Sequence, residues 1–203
     1  MAALTPTWTQ YVYNGSAWSA VSAPAIYTIN DATIQGTSSN YKSYPIRIPA
    51  TSGNSNYSAE TYVGIVWTDP NSTGNVPSNV KVWESSGTLK DTNTIIWAGV
   101  VAYGGTGAVP TSTRYPTVPA SGTTGTQPFS SDSTLVTPYD KFIYSGSSTN
   151  YGSTAPISLA VNGSAAPFYS DMLTFLLEVP SSVQTTGDIA SGPVVITVQY
   201  DEA

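Results

Sequence analysis

Thr94-Ile95-Ile96-Trp97-Ala98-Gly99-Val100-Val101-Ala102-Tyr103 is the stretch on which the reading of the fold turns. It carries no charge, and β-branched and aromatic side chains dominate it. Such a run suits a central strand, and Gly104-Gly105 stops it. Working outward, Thr61 to Trp67 is a second near-continuous apolar run, ended by Asp69-Pro70-Asn71 and predicted to be buried on both faces. Val80-Lys81-Val82-Trp83 is a short alternating strand. Toward the N-terminus, residues 7–13 alternate, and Asn14-Gly15 supplies the positive-φ pair of a tight hairpin. Ser16 to Val21 then resumes the strand pattern. Ile26 to Ile34 and Tyr41 to Ile48 read as further strands, with Pro45 marking an edge or a bulge. Toward the C-terminus the pattern predicts strands at Lys141 to Tyr144, Ile157 to Val161, Met172 to Val179 and Val194 to Tyr200, with a turn at Asn162-Gly163. Residues 168–178 are the one segment with a helical alternative. Their aromatic and Thr content favours β, and Pro180 bounds them.

Nine or ten strands with dense turns and no helix, in a chain of 203 residues, predict an all-β fold. The expected architecture is a two-sheet antiparallel sandwich, a single jelly roll with a long inter-strand loop. That loop is the 104–138 excursion, rich in Gly, Pro, Ser and Thr and poor in apolar anchors. No repeat of propeller or solenoid length is present. Residues 1–203 read as one domain, with 1–10 as an N-terminal arm. The expected core includes Ile65, Trp67, Ile96, Val100, Phe175, Leu177, Val195 and Ile196.

Composition bounds the function. The chain has no His and no Cys, and 9% of its residues are charged. Ser and Thr exceed a quarter of it, alongside 14 Tyr, 5 Trp, 17 Gly and 15 Pro. The usual proton carriers, nucleophile and soft metal ligands are therefore missing, and the chain is expected to be no enzyme and to need no cofactor or metal. The net charge is −6. Lys42, Arg47, Lys81, Lys90, Arg114 and Lys141 are scattered, against the clustered cations that phosphate binding needs. No apolar run approaches a helical membrane span. Met1-Ala2-Ala3-Leu4-Thr5-Pro6 lacks the basic and apolar regions of a signal peptide. A surface of hydroxyls and amides does not titrate, which suits a hot or acidic exterior.

Four kinds of site are weighed against plainer structural roles. Glu60, Glu84 and Glu178 lie in or beside strands, as a glycosidase pair would, but exposed strand carboxylates account for them as well. Asp69 with Asn71, and Asp91 with Asn93, pair oxygen ligands of the kind Ca²⁺ takes; standard turn formation is the favoured role. Trp8, Trp18, Trp67, Trp83 and Trp97 are candidate sugar-stacking platforms, and packing or subunit contact is the plainer use. Asn14, Asn56, Asn71 and Asn162 open glycosylation acceptor patterns, about as many as chance supplies.

In size, strand rhythm and composition the whole chain resembles the single jelly-roll capsid proteins of icosahedral viruses, in particular those of thermophilic archaeal hosts (portoglobovirus-like). That resemblance implies a structural virion protein that self-assembles into an icosahedral shell, with copies of itself and other virion proteins as partners. No Lys or Arg stands in residues 1–10, so direct contact with nucleic acid is not expected. An inner protein layer or an internal membrane would face the genome. Strand edges, the N-terminal segment and the 104–138 loop are the expected contacts. The alternatives are a subunit of an extracellular archaeal filament on the cell surface, joined by β-strand donation from residues 1–13, and a secreted carbohydrate-binding β-sandwich.

Overall fold

A computed structural model of the chain describes residues 3–13, 18–22, 48, 52–58, 61–87, 89, 91, 93–103, 135–144, 151–184 and 194–203. Among the described residues there is no helix. The strands are β1 (Thr5–Tyr13), β2 (Trp18–Ser22), β3 (Ser55–Tyr57), β4 (Thr61–Thr68), β5 (Pro77–Ser86) and β6 (Ile95–Val101). They continue with β7 (Leu135–Tyr144), β8 (Ile157–Leu159), β9 (Val161–Asn162), β10 (Phe168–Ser170), β11 (Met172–Pro180) and β12 (Val195–Glu202).

Among the described residues these strands pair antiparallel throughout, in two sheets. The larger sheet has nine strands. Its main path runs β2-β1-β4-β11-β6-β7, with β3 beside β11, β10 beside β4 and β9 beside β10. The smaller runs β12-β5-β8. The pairs β6–β7, β5–β8 and β4–β11 are nested in sequence and alternate between the sheets.

Both sheets contribute to one apolar cluster. Val63, Ile65, Trp67, Val100 and Phe175 come from the larger sheet, and Val80, Val82, Ile157 and Leu159 from the smaller. Phe142 meets Phe175 edge-on at 5.3 Å between ring centres, and Trp67 meets Tyr200 edge-on at 5.6 Å. Among the described residues the Trp67 indole N–H finds no acceptor in hydrogen-bond geometry. It lies near enough to Tyr200 to offset part of the rise that burial and Glu202 give that phenol's pKa.

Thr61 to Trp67 is buried on both faces apart from the half-buried Val66, as its continuous apolar run predicts, and β6 is an interior strand. Segment 168–178 is strand throughout, save Asp171 at a break between β10 and β11. Gly64 has a packing reason to be glycine: a Cβ there would sit 2.7 Å from the Met172 sulfur. Ile65, Trp67, Val100 and Phe175 are core residues as expected, and Ile96 and Ile196 pack on the core half-buried. Leu177 is buried in a separate small cluster with Val179 and Val183.

Val195 corrects the expected core: it is 43% exposed. The β12–β5 ladder shifts register between Val195 and Ile196, leaving Val195 opposite Ser86 while Ile196 turns inward. The 104–138 excursion also ends earlier than its composition implies. Leu135 to Pro138 already belong to β7, with Leu135 opposite Val101 and Thr137 opposite Val100. Pro138 falls at a register shift of the β6–β7 ladder, on the strand that ends the sheet path among the described residues, and bulges and edges are where a strand accepts proline. Residues 104–134 and the predicted strand Ile26 to Ile34 lie outside the described residues, as does Tyr41 to Ile48 apart from Ile48. Of residues 1–10, read as an arm, Thr5 to Gln10 lie in β1 and pair along β4.

Two register shifts share one device. From Phe175 opposite Thr61 to Glu178 opposite Tyr57, the β3–β4 side carries one extra residue. Ser58 fills the gap, its Oγ accepting the Leu177 N–H at 2.8 Å. From Phe168 opposite Trp67 to Leu173 opposite Val63, the β10–β11 side carries one extra residue. There the Ser170 Oγ accepts the Ile65 N–H at 2.9 Å. Both serines are wholly buried. A bulge breaks ladder bonds, and a short hydroxyl restores one.

Candidate functional site

The sequence candidates scatter across the molecule. Glu60 lies outside the described residues. Glu84 is on β5 in the smaller sheet and Glu178 on β11 in the larger. Glu178 is half-buried and well supplied with donors: Ser55 Oγ at 2.8 Å and Tyr57 Oη at 3.4 Å on Oε1, and Trp97 Nε1 at 2.9 Å on Oε2. The carboxylate thereby ties β3 and β6 to β11. Burial, and then the Glu178 charge, push the Tyr57 phenol up to about 12.

The Asp-Asn pairs act as turn formers. Asp69 accepts from Thr73 Oγ1 at 3.2 Å and from the Gly74 N–H at 2.9 Å. Hydrogen bonding by the Thr73 backbone is the leading cause that holds the Asp69 carboxyl below its usual range. Asn71 is exposed in that turn. Asp91 Oδ1 accepts from the Asn93 backbone at 3.0 Å, and Oδ2 takes the Gln184 N–H at 2.8 Å. Asp91 therefore pins the loop after β11 to the approach of β6. Among the described residues no group of three or more His, Cys, Asp or Glu comes together as a metal site would need.

The tryptophans divide. Trp67 is core, Trp8 packs half-buried against it, and Trp97 is bonded to Glu178. The side chain of Trp18 lies outside what the structure describes. Trp83 stands half-buried on the outer face of the smaller sheet, beside exposed Lys81, Ser85 and Gln199. Of the acceptor asparagines, Asn56 is 4% exposed inside β3, so the folded chain withholds its amide from a glycosyl donor. Asn162 Nδ2 is engaged by Asp171 Oδ1 at 3.1 Å and by the Tyr169 carbonyl at 3.4 Å. Asn71 is open to solvent, and Asn14 lies outside the described residues.

The most organised polar site is one the sequence did not single out. The bulge between β10 and β11 buries Asp171 to 5% exposure. Its Oδ1 accepts the Tyr103 N–H at 3.1 Å and Asn162 Nδ2 at 3.1 Å, while its own N–H donates to the Ala160 carbonyl at 2.9 Å. This draws the chain beyond β6 onto β10, where Tyr103 stacks on Tyr169. Tyr11, Tyr62, Val101 and Met172 complete the cluster. Burial, then Tyr103 and Tyr169, push the Tyr11 phenol up to about 12. The one sequence signal was a carboxylate, Asp171, set inside an otherwise uncharged strand pattern from Phe168 to Leu177.

Comparison of the chain with protein-family models, with curated proteins and with solved structures finds no match.

Proposed function

We propose that the chain is a structural virion protein, a single jelly-roll capsid subunit that self-assembles into an icosahedral shell. The observation that carries this reading is the nesting of strand pairs: β6 with β7, β5 with β8 and β4 with β11, taken alternately by the two sheets. A long antiparallel ribbon, doubled over and rolled, produces that order, and a rolled ribbon is the jelly-roll plan. The core shared by both sheets supports a sandwich. The residues with the best-formed polar contacts, Glu178, Asp91 and Asp171, each join strands or loops. That is the use a scaffold makes of carboxylates. Partners are further copies of the chain and other virion proteins, and the place of action is the particle.

Negative-stain microscopy of the native material tests this. Closed shells of uniform size are expected. Fibres would select the strand-donation filament, which is disfavoured because β1 is already paired on both sides within its own chain, by β2 and by β4.

A carbohydrate-binding module is the second reading, and one observation favours it. Trp83 lies on an open polar sheet face, with Thr197 opposite and Lys81 and Gln199 beside it. Glycan retention in affinity electrophoresis that Trp83→Ala abolishes, from material that stays monomeric, would put this reading first.

A further inference from the structure

We propose that Tyr103 and Tyr169 form an oxidative cross-linking site, at which a one-electron oxidant joins the two rings by a carbon–carbon bond within the chain. The rings are 5.0 Å apart between centres with planes 7° from parallel. With the planes at a contact distance of about 3.5 Å, the rings are slipped by roughly the same amount. At that slip the rings do not lie over one another; their facing edges meet at about van der Waals contact with the ring planes still near parallel. That is the approach radical coupling needs. The edge-on Trp67–Tyr200 contact, with planes at 70°, offers no such near-parallel approach.

The pair is held in place from outside itself. Asp171 grips the backbone of Tyr103, and through Asn162 it is connected to the carbonyl of Tyr169. Tyr169 also sits within the sheet, opposite Val66 and Asn162. Tyr169 is half-buried, which gives an oxidant a route in, and Tyr103 is buried, which keeps its radical from a second molecule. A chain without Cys has no disulfide with which to staple itself. A Tyr–Tyr bond would serve the same end by joining the chain after β6 to β10.

The reaction balances as follows. Each phenol gives one electron to the oxidant and its hydroxyl proton to water. The two phenoxyl radicals couple through the carbons ortho to oxygen. The hydrogens on those carbons then transfer to the oxygens as the rings regain aromaticity. The product is two phenols joined by one new bond, lighter by two hydrogen atoms, and two equivalents of one-electron oxidant are consumed.

The test is brief illumination of the dilute, folded protein with ruthenium tris-bipyridyl and persulfate. Intact mass, dityrosine fluorescence and peptide mapping are the readouts. Expected is a monomer lighter by two hydrogen atoms, a linked peptide pair containing Tyr103 and Tyr169, and a higher unfolding temperature. Tyr169→Phe should lose this product while keeping its circular dichroism spectrum, and Tyr151→Phe should retain it. Tyr103→Phe provides a second loss variant if Tyr169→Phe misfolds. The proposal is overturned if the folded chain gives no intrachain link, if the link maps to other tyrosines, or if it survives Tyr169→Phe.

Discussion

At the scale of residues, two buried serines do work that hydroxyl-rich composition conceals. Ser58 and Ser170 each accept a strand N–H that a bulge has left without its carbonyl. Replacing either by Ala removes the acceptor and leaves a buried donor unpaired, which costs about 1–3 kcal/mol. Urea denaturation of Ser58→Ala and Ser170→Ala should show losses of that size. Ser158→Ala, at an exposed position on β8, should stay within about 0.5 kcal/mol of the parent. A second expectation concerns alkali. Tyr11 and Tyr57 titrate near 12 in the folded chain against 10.0 for a free phenol, because burial disfavours their charged forms. The unfolded chain thus loses these protons first. Their contribution is intact below pH 10 and is lost as pH rises toward 12. The unfolding temperature should begin to fall above about pH 10, with a late phenolate absorbance step removed by the pair Tyr11→Phe and Tyr57→Phe. A stability that instead rises across this range would contradict the burial of these phenols.

At the scale of elements, the apolar run of β4 was legible because a strand covered on both faces needs no alternation, and the uncharged, β-branched run of β6 read as a central strand. The alternating β5 and the first hairpin were equally plain. Bulges were not legible. The positions of Ser58, Asp171 and Val195 follow from how two strands pair, and no single strand carries that information. The start of β7 was missed for a related reason: Pro138 argues against a strand until an edge position is known. The last strand offers a direct test. Glu202 on β12 accepts the Leu4 N–H at 3.1 Å and Asn75 Nδ2 at 3.4 Å, and Val76 and Ala203 exchange backbone bonds of 2.9 and 3.2 Å. Glu202→Ala should free the start of β1 at a cost of about 1–2 kcal/mol. Hydrogen exchange would register this as faster loss of protection at Leu4 than at Val63.

At the scale of the whole molecule, one cluster joins both sheets, and among the described residues the smaller sheet has no buried cluster apart from it. A single cooperative thermal transition is expected, with fluorescence and far-ultraviolet circular dichroism coinciding. An earlier, separate step for the smaller sheet would show that the shared core is not cooperative. By itself the sequence determined the all-β class, the interior strands and the improbability of thiol or imidazole chemistry. These depend on local periodicity and on residues that are simply missing. The tertiary structure decided the order of the strands, the two buried serines, the carboxylate in the bulge and the stacking of Tyr103 on Tyr169. Each of these joins residues from different strands, and a pairing register is a property of two segments brought together in space.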